Sequence, residues 1–210
     1  MIEPPSYSAR WRARLAHLNL PPSLLTAAPS PSAVRAAEAL PGTVLDVGAG
    51  LGDSSLSLAE HASSITAVDV DAAALAIFRE RLGHPCLPVT TIVGEWPAIA
   101  DAVPPSDVVI CHYALYATRD TAAFVRALTE HARRRVVVEI HYRHPRAWPN
   151  RLWRRLRCQP NGPTANEVLA AVTALGLAPR TERTRPGHQM TIWWPGTAPV
   201  DTQAQPPRGG

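Results

Sequence analysis

The chain has 210 residues, a net charge of +4 and 46% hydrophobic residues, which suits one folded domain with a real core and excludes a disulfide-built scaffold. Its three cysteines are far apart in sequence and form no Cys-x-x-Cys pair, so a zinc site is not expected either. No apolar run approaches the roughly 20 residues that cross a bilayer, and the N-terminus, Met1-Ile2-Glu3-Pro4-Pro5, lacks the basic-then-apolar layout of a secretory signal; a soluble cytoplasmic protein is expected.

Residues 1–40 read as helical pieces broken by Pro21-Pro22 and by Pro29-Ser30-Pro31. From Thr43 onward, short apolar runs alternate with helical stretches. Residues 43–47 predict a buried strand, and Asp53 is placed to cap the helix that follows. A second strand is expected over 64–70. Asp71 then caps a helix whose Leu75, Phe78 and Leu82 share one face. Further strands are expected over 87–93, 107–111 and 135–140. Between the last two, Asp120 opens a helix with Phe124, Leu128 and His131 on one stripe. Thr164-Ala165-Asn166-Glu167 is a capping box, and Gly176 is placed to end that helix. Residues 179–184 and 189–194 read as a final pair of strands. Residues 195–210 are rich in Pro, Gly and Gln and are expected to be disordered.

Alternating strands and helices predict an α/β fold, doubly wound, with a mostly parallel sheet covered on both faces. Ligands in such folds sit beyond the C-terminal strand ends, so the loops after the strands are the places to search. All 21 cationic side chains are arginine. Clusters at Arg10 to Arg14, Arg133 to Arg135 and Arg151 to Arg157 fit solvated faces and strand ends better than a nucleic-acid footprint.

The first loop reads Asp46-Val47-Gly48-Ala49-Gly50-Leu51-Gly52-Asp53. Its glycines let the backbone turn sharply and approach a ligand closely. Dinucleotide binding is the rival reading, but its Gly-x-Gly-x-x-Gly pattern puts a third glycine at position 53, where Asp53 stands. A carboxylate there competes with a pyrophosphate for the helix amides. Asp69, 21 residues after Gly48, is placed to accept from ribose hydroxyls.

Residues 44–52 resemble motif I of the class I S-adenosylmethionine-dependent methyltransferases, and Ala67-Val68-Asp69-Val70-Asp71 resembles their motif II. Ile92-Val93-Gly94-Glu95-Trp96 resembles the segment after their third strand, and 107–112 their motif IV. The likeness runs from about residue 32 to 194. It implies a seven-stranded sheet and S-adenosylmethionine as cofactor. By the same resemblance Gly48, Ala49 and Gly50 pass under the methionine and ribose parts. Asp46 helps fix the methionine amino group, and Asp69 holds the ribose with Val70 beside it. Glu95 and Trp96 flank the adenine, and His112 lies near the sulfonium. The domain is expected over 41–194, behind an N-terminal helical lid over 1–40.

The methyl acceptor is less determined. Cys111-His112-Tyr113-Ala114-Leu115-Tyr116 lacks the Asn-Pro-Pro-Tyr pattern of many nucleobase and amide methyltransferases, and a lysine-dependent ribose methylation is excluded by the absence of lysine. A hydroxyl acceptor needs a base. The end of the fifth strand offers His141 and His144, with Glu139 to orient either ring; His144 is favoured because it sits farther out. The same three residues are the candidates for a divalent ion such as magnesium. Substrate contacts are expected from Tyr113, Tyr116 and the loop over 142–163, where Trp148, Arg151 and Trp153 offer an aromatic platform with polar clamps suited to a sugar. The reading is an O-methyltransferase of a small metabolite, with a sugar or glycoside as the candidate acceptor. An N-methyltransferase of an amine or RNA base and a non-catalytic cofactor-binding module are the alternatives, and a homodimer is left open.

Overall fold

The computed structural model describes residues 30–82, 87–141, 162–184 and 189–199. Seven strands form one sheet: β1 (Gly42–Val47), β2 (Ala62–Asp69), β3 (Val89–Val93), β4 (Ser106–His112), β5 (Ala132–His141), β6 (Arg180–Thr184) and β7 (Gln189–Pro195). Their order across the sheet is β3-β2-β1-β4-β5-β7-β6. β1 to β5 pair in parallel, and β7 runs antiparallel to both β5 and β6. The chain winds outward from β1 to β3 and then returns to start again at β4. The switch point therefore lies between β1 and β4, where the C-terminal strand ends open a crevice.

Two apolar cores, one on each face, follow from the side-chain alternation of the strands. On β5, Val137 faces one core while Val136 and Val138 face the other. The first core takes α1 (Pro31–Ala37) and α3 (Ala72–Leu82), which bury Ala36, Leu75, Phe78 and Leu82. The second takes α4 (Thr121–His131) and α5 (Ala165–Ala174), which bury Phe124, Leu128, Val168 and Val172. Each such large side chain contributes about 1.5–3 kcal/mol by leaving water.

Helix starts follow their predicted caps in three cases. Asp71 Oδ1 accepts from the N–H groups of Ala73 and Ala74 at 2.9 and 3.2 Å. Asp120 accepts from Ala123 N at 2.9 Å. Thr164 and Glu167 form both arms of the capping box, and Gly176, at φ +76°, ends the same helix. Asp53 departs from expectation. It is the first residue of α2 (Asp53–Leu56), Gly52 takes the cap position, and the Asp53 carboxylate instead pairs with Arg81 at 2.7 Å.

The folded body is longer at both ends than the sequence suggests. Residues 30–40 belong to it, because α1 lies on the sheet: the Arg35 guanidinium reaches Glu182 on β6 at 3.0 Å and stacks over the Trp193 ring at 5.1 Å. The rest of the predicted lid, residues 1–29, lies outside the described residues. At the other end, Gly196, Thr197 and Ala198 donate their N–H groups to Arg134, Thr129 and Ala132, so the predicted disordered tail does not begin at 195. The arginine run at the start of β5 is stitched inward. Arg133 donates to Pro199 O, Arg134 to Ala39 O and Pro41 O, and Arg135 to Arg35 O and Glu38. Among the described residues no helix is long and apolar enough to cross a membrane.

Candidate active site

The loop after β1 bends through left-handed backbone at Gly48 and Gly50, at φ +74° and +53°. At Gly48 the bend also needs space: a Cβ there would stand 2.1 Å from the Ala114 Cβ. At Gly50 a Cβ would enter open space, which is room left for a ligand. Gly48 and Ala49 donate their N–H groups to Val68 O at 2.8 and 3.1 Å, tying the loop to β2. Gly50 N donates to Asp69 Oδ2 at 2.8 Å, and Asp71 N donates to Asp69 Oδ1 at 2.9 Å. Two main-chain donors thus fix the Asp69 carboxylate while each oxygen keeps a lone pair.

A cavity of about 490 Å³ opens here, within the range of small-molecule sites. Gly48, Ala49 and Gly50 line it together with Asp69, Val70, Glu95 and Trp96. His112, Tyr113 and Tyr116 line it too, as do Asp53 and Ser54. Trp96 is buried and meets His131 edge-on, ring centroids 4.9 Å apart. Its indole nitrogen has no hydrogen-bond partner among the described residues.

Asp46 lies behind the loop rather than on the cavity wall. It is 1% exposed and accepts from Ser55 Oγ at 2.6 Å. Burial pushes its pKa up to about 7; the Ser55 hydrogen bond opposes this, and the charges of Asp69 and Asp53 add to it. His112 Nδ1 sits 2.5 Å from Ser54 Oγ. Burial lowers the pKa of its ring against the pull of Glu139, which keeps the imidazole neutral at physiological pH. Its Nε2 is sealed from solvent with no partner among the described residues.

Tyr113 is the one non-glycine residue with positive φ, +60°, among the described residues. Its N–H donates to the main-chain oxygen of Glu139 at 2.9 Å, and its hydroxyl donates to the Glu139 carboxylate. Burial, then Glu139, pushes the phenol's pKa well up, so it stays protonated and donates. The other carboxylate oxygen of Glu139 accepts from Ser32 Oγ on α1.

Residues 44–135 match the family model described as a methyltransferase domain. Over those residues the chain resembles a methyltransferase domain, and its fold is that of the S-adenosylmethionine-dependent methyltransferases. The magnesium protoporphyrin IX methyltransferase of Synechocystis PCC 6803 with bound SAH is similar in structure at 14% identity, with 94% of this chain and 90% of that one covered and a TM-score of 0.63. An S-adenosylmethionine-dependent methyltransferase of Clostridium acetobutylicum ATCC 824 aligns at 9% identity over 89% of this chain and 99% of its own, at 0.63. The DhpI-SAM-HEP complex aligns at 21% identity over 91% and 99%, at 0.59. Identities this low establish the fold. A search of curated proteins finds no match.

The cavity suits S-adenosylmethionine. The space over Gly50, the open lone pairs of Asp69 and the carboxylates of Asp69 and Glu95 fit a ribose-bearing cation. No arginine is among the described lining residues. Of the residues expected to hold the cofactor, Gly48, Ala49, Gly50, Asp69, Val70, Glu95, Trp96 and His112 come together on this wall. Asp46 is not among them: its side chain is buried and bonded to Ser55.

Each carboxylate oxygen of Glu139 accepts one hydrogen bond, from Ser32 and from Tyr113, and keeps a second lone pair. Among the described residues no group of three His, Cys, Asp or Glu side chains is arranged for a metal. His141 ends β5, while His144, Trp148, Arg151 and Trp153 lie outside the described residues. Ser32 and Ser54 were not found by sequence reasoning. Ser54 is adjacent to the glycine loop, but its partner His112 is 58 positions away and leaves no local signal.

Proposed function

We propose that this methyltransferase transfers the methyl group to a hydroxyl of a small metabolite, with sugars and glycosides the class to screen first. The observation that carries this reading is His112: a neutral imidazole on the cavity wall, with one ring nitrogen engaged by Ser54 and the other without a partner. With S-adenosylmethionine bound, the sulfonium supplies an electrophilic methyl group. A hydroxyl must lose its proton at or near the transition state. If Nδ1–H donates to Ser54, the lone pair is on Nε2, which is sealed from solvent, so His112 joins His141 and His144 as a candidate to take that proton only if its ring turns toward the cavity. Protonated Tyr113 cannot fill this role while it donates to Glu139. The choice of sugars rests on Trp148, Arg151 and Trp153 in the sequence. Cytoplasmic location and self-association into a homodimer belong to the same proposal.

The test is incubation with isotope-labelled S-adenosylmethionine and fractionated metabolites, followed by mass and NMR analysis of what gains a methyl. A methoxy product is expected. His112→Ala, His141→Ala and His144→Ala are then compared. One of them should lose at least about a hundredfold in turnover while still binding S-adenosylhomocysteine. A methylated amine as the product would overturn the reading.

A further inference from the structure

We propose that Glu139 is a positioning residue for the cofactor: by holding Tyr113 in its left-handed turn, it seats Ala114 against Gly48 and so shapes the cradle. This needs only the cofactor assignment and not the nature of the acceptor.

A non-glycine side chain in the left-handed region is costly, so something must hold Tyr113 there. Glu139 supplies two bonds that do so: Tyr113 N–H to its main-chain oxygen and the hydroxyl to its carboxylate. Gln189 also bonds the phenol. Glu139 is 6% exposed and is fixed in turn by Ser32 Oγ, which meets Ser30 Oγ at 2.8 Å. The anchor therefore reaches from β5 to the N-terminus of α1.

What Tyr113 begins is the single turn Ala114–Ala117. On one side Ala114 fills the place where a Cβ on Gly48 would go, 2.1 Å away. On the other, Tyr116 fills the place of a Cβ on Gly162, 2.4 Å away. The turn is thus wedged between the cofactor loop and the residue that follows the 142–161 segment. If Tyr113 relaxes to negative φ, Ala114 leaves Gly48 and the loop loses its support from the β4 side.

The experiment is calorimetric titration of the full chain with S-adenosylhomocysteine, with thermal unfolding of each variant in parallel. Glu139→Leu removes the carboxylate, and Tyr113→Phe removes only the hydroxyl. Each should weaken binding about five- to thirtyfold, the equivalent of releasing one left-handed residue. Glu139→Gln keeps an acceptor for Tyr113 and should recover most of the loss. Tyr113→Gly adopts the turn unaided, so in that background Glu139→Leu should change affinity less than twofold. Should Glu139→Leu fail to fold, Tyr113→Phe carries the test. The proposal is overturned if Tyr113→Phe binds within twofold of wild type, or if Glu139→Leu costs as much in the glycine background. A fall in melting temperature with unchanged affinity overturns it as well.

Discussion

Replacing Asp46 by Asn tests the reading of the buried carboxyl beneath the glycine loop. Among the described residues Asp46 has one hydrogen bond, from Ser55, and no cation beside it. Its pKa rises from 3.8 to about 7 on folding. The folded state therefore binds the proton more tightly than the unfolded chain between these values, so stability falls as pH rises from about 4 to 7. At about 1.4 kcal/mol for each tenfold change in proton affinity the full penalty above pH 7 approaches 4 kcal/mol, and relaxation of the site leaves about 2–4 kcal/mol. Asp46→Asn keeps the shape and removes the ionisation. Urea unfolding of both proteins from pH 3.5 to 8.5 should show curves that nearly meet at the acid end and diverge upward, with the variant more stable. Parallel pH profiles would refute the reasoning, since the carboxyl would then ionise alike in both states.

Asp69→Ala removes the acceptor for Gly50 N–H and Asp71 N–H as well as the ribose partner, so S-adenosylhomocysteine affinity should fall at least about thirtyfold by calorimetry. Gly48→Ala places a methyl 2.1 Å from the Ala114 Cβ at φ +74° and should destabilise by about 2–4 kcal/mol in thermal unfolding. Gly50→Ala meets open space, so it should lose only about 1 kcal/mol from its backbone but bind the cofactor product more weakly; equal stability losses at the two glycines would contradict the packing described. Thr164→Ala removes the capping box and should lower stability by about 1 kcal/mol, as read by denaturant midpoint.

Much of the fold was legible because its signals are local. Strand residues such as Val44, Leu45, Val108 and Val109 form unbroken apolar runs, as strands buried on both faces must. Asp71, Asp120 and Thr164 mark helix starts because their side chains bond to amides two or three residues on. Gly48, Gly50 and Asp69 were legible because a ligand imposes residue types at fixed spacing. Asp53 misled because the same loop position suits a cap, and only the neighbouring Arg81 on α3 decided otherwise.

The sequence by itself determined the order of strands and helices, the glycine bend and the acid that faces it, since each depends on backbone preferences acting over a few residues. Only the tertiary structure decided that Asp46 sits behind the loop, that His112 meets Ser54 and that Glu139 is held between Ser32 and Tyr113. Those partners lie 9, 58, 107 and 26 positions apart. Strand register and helix packing bring them within bonding distance, and no periodicity along the chain records a contact made that way.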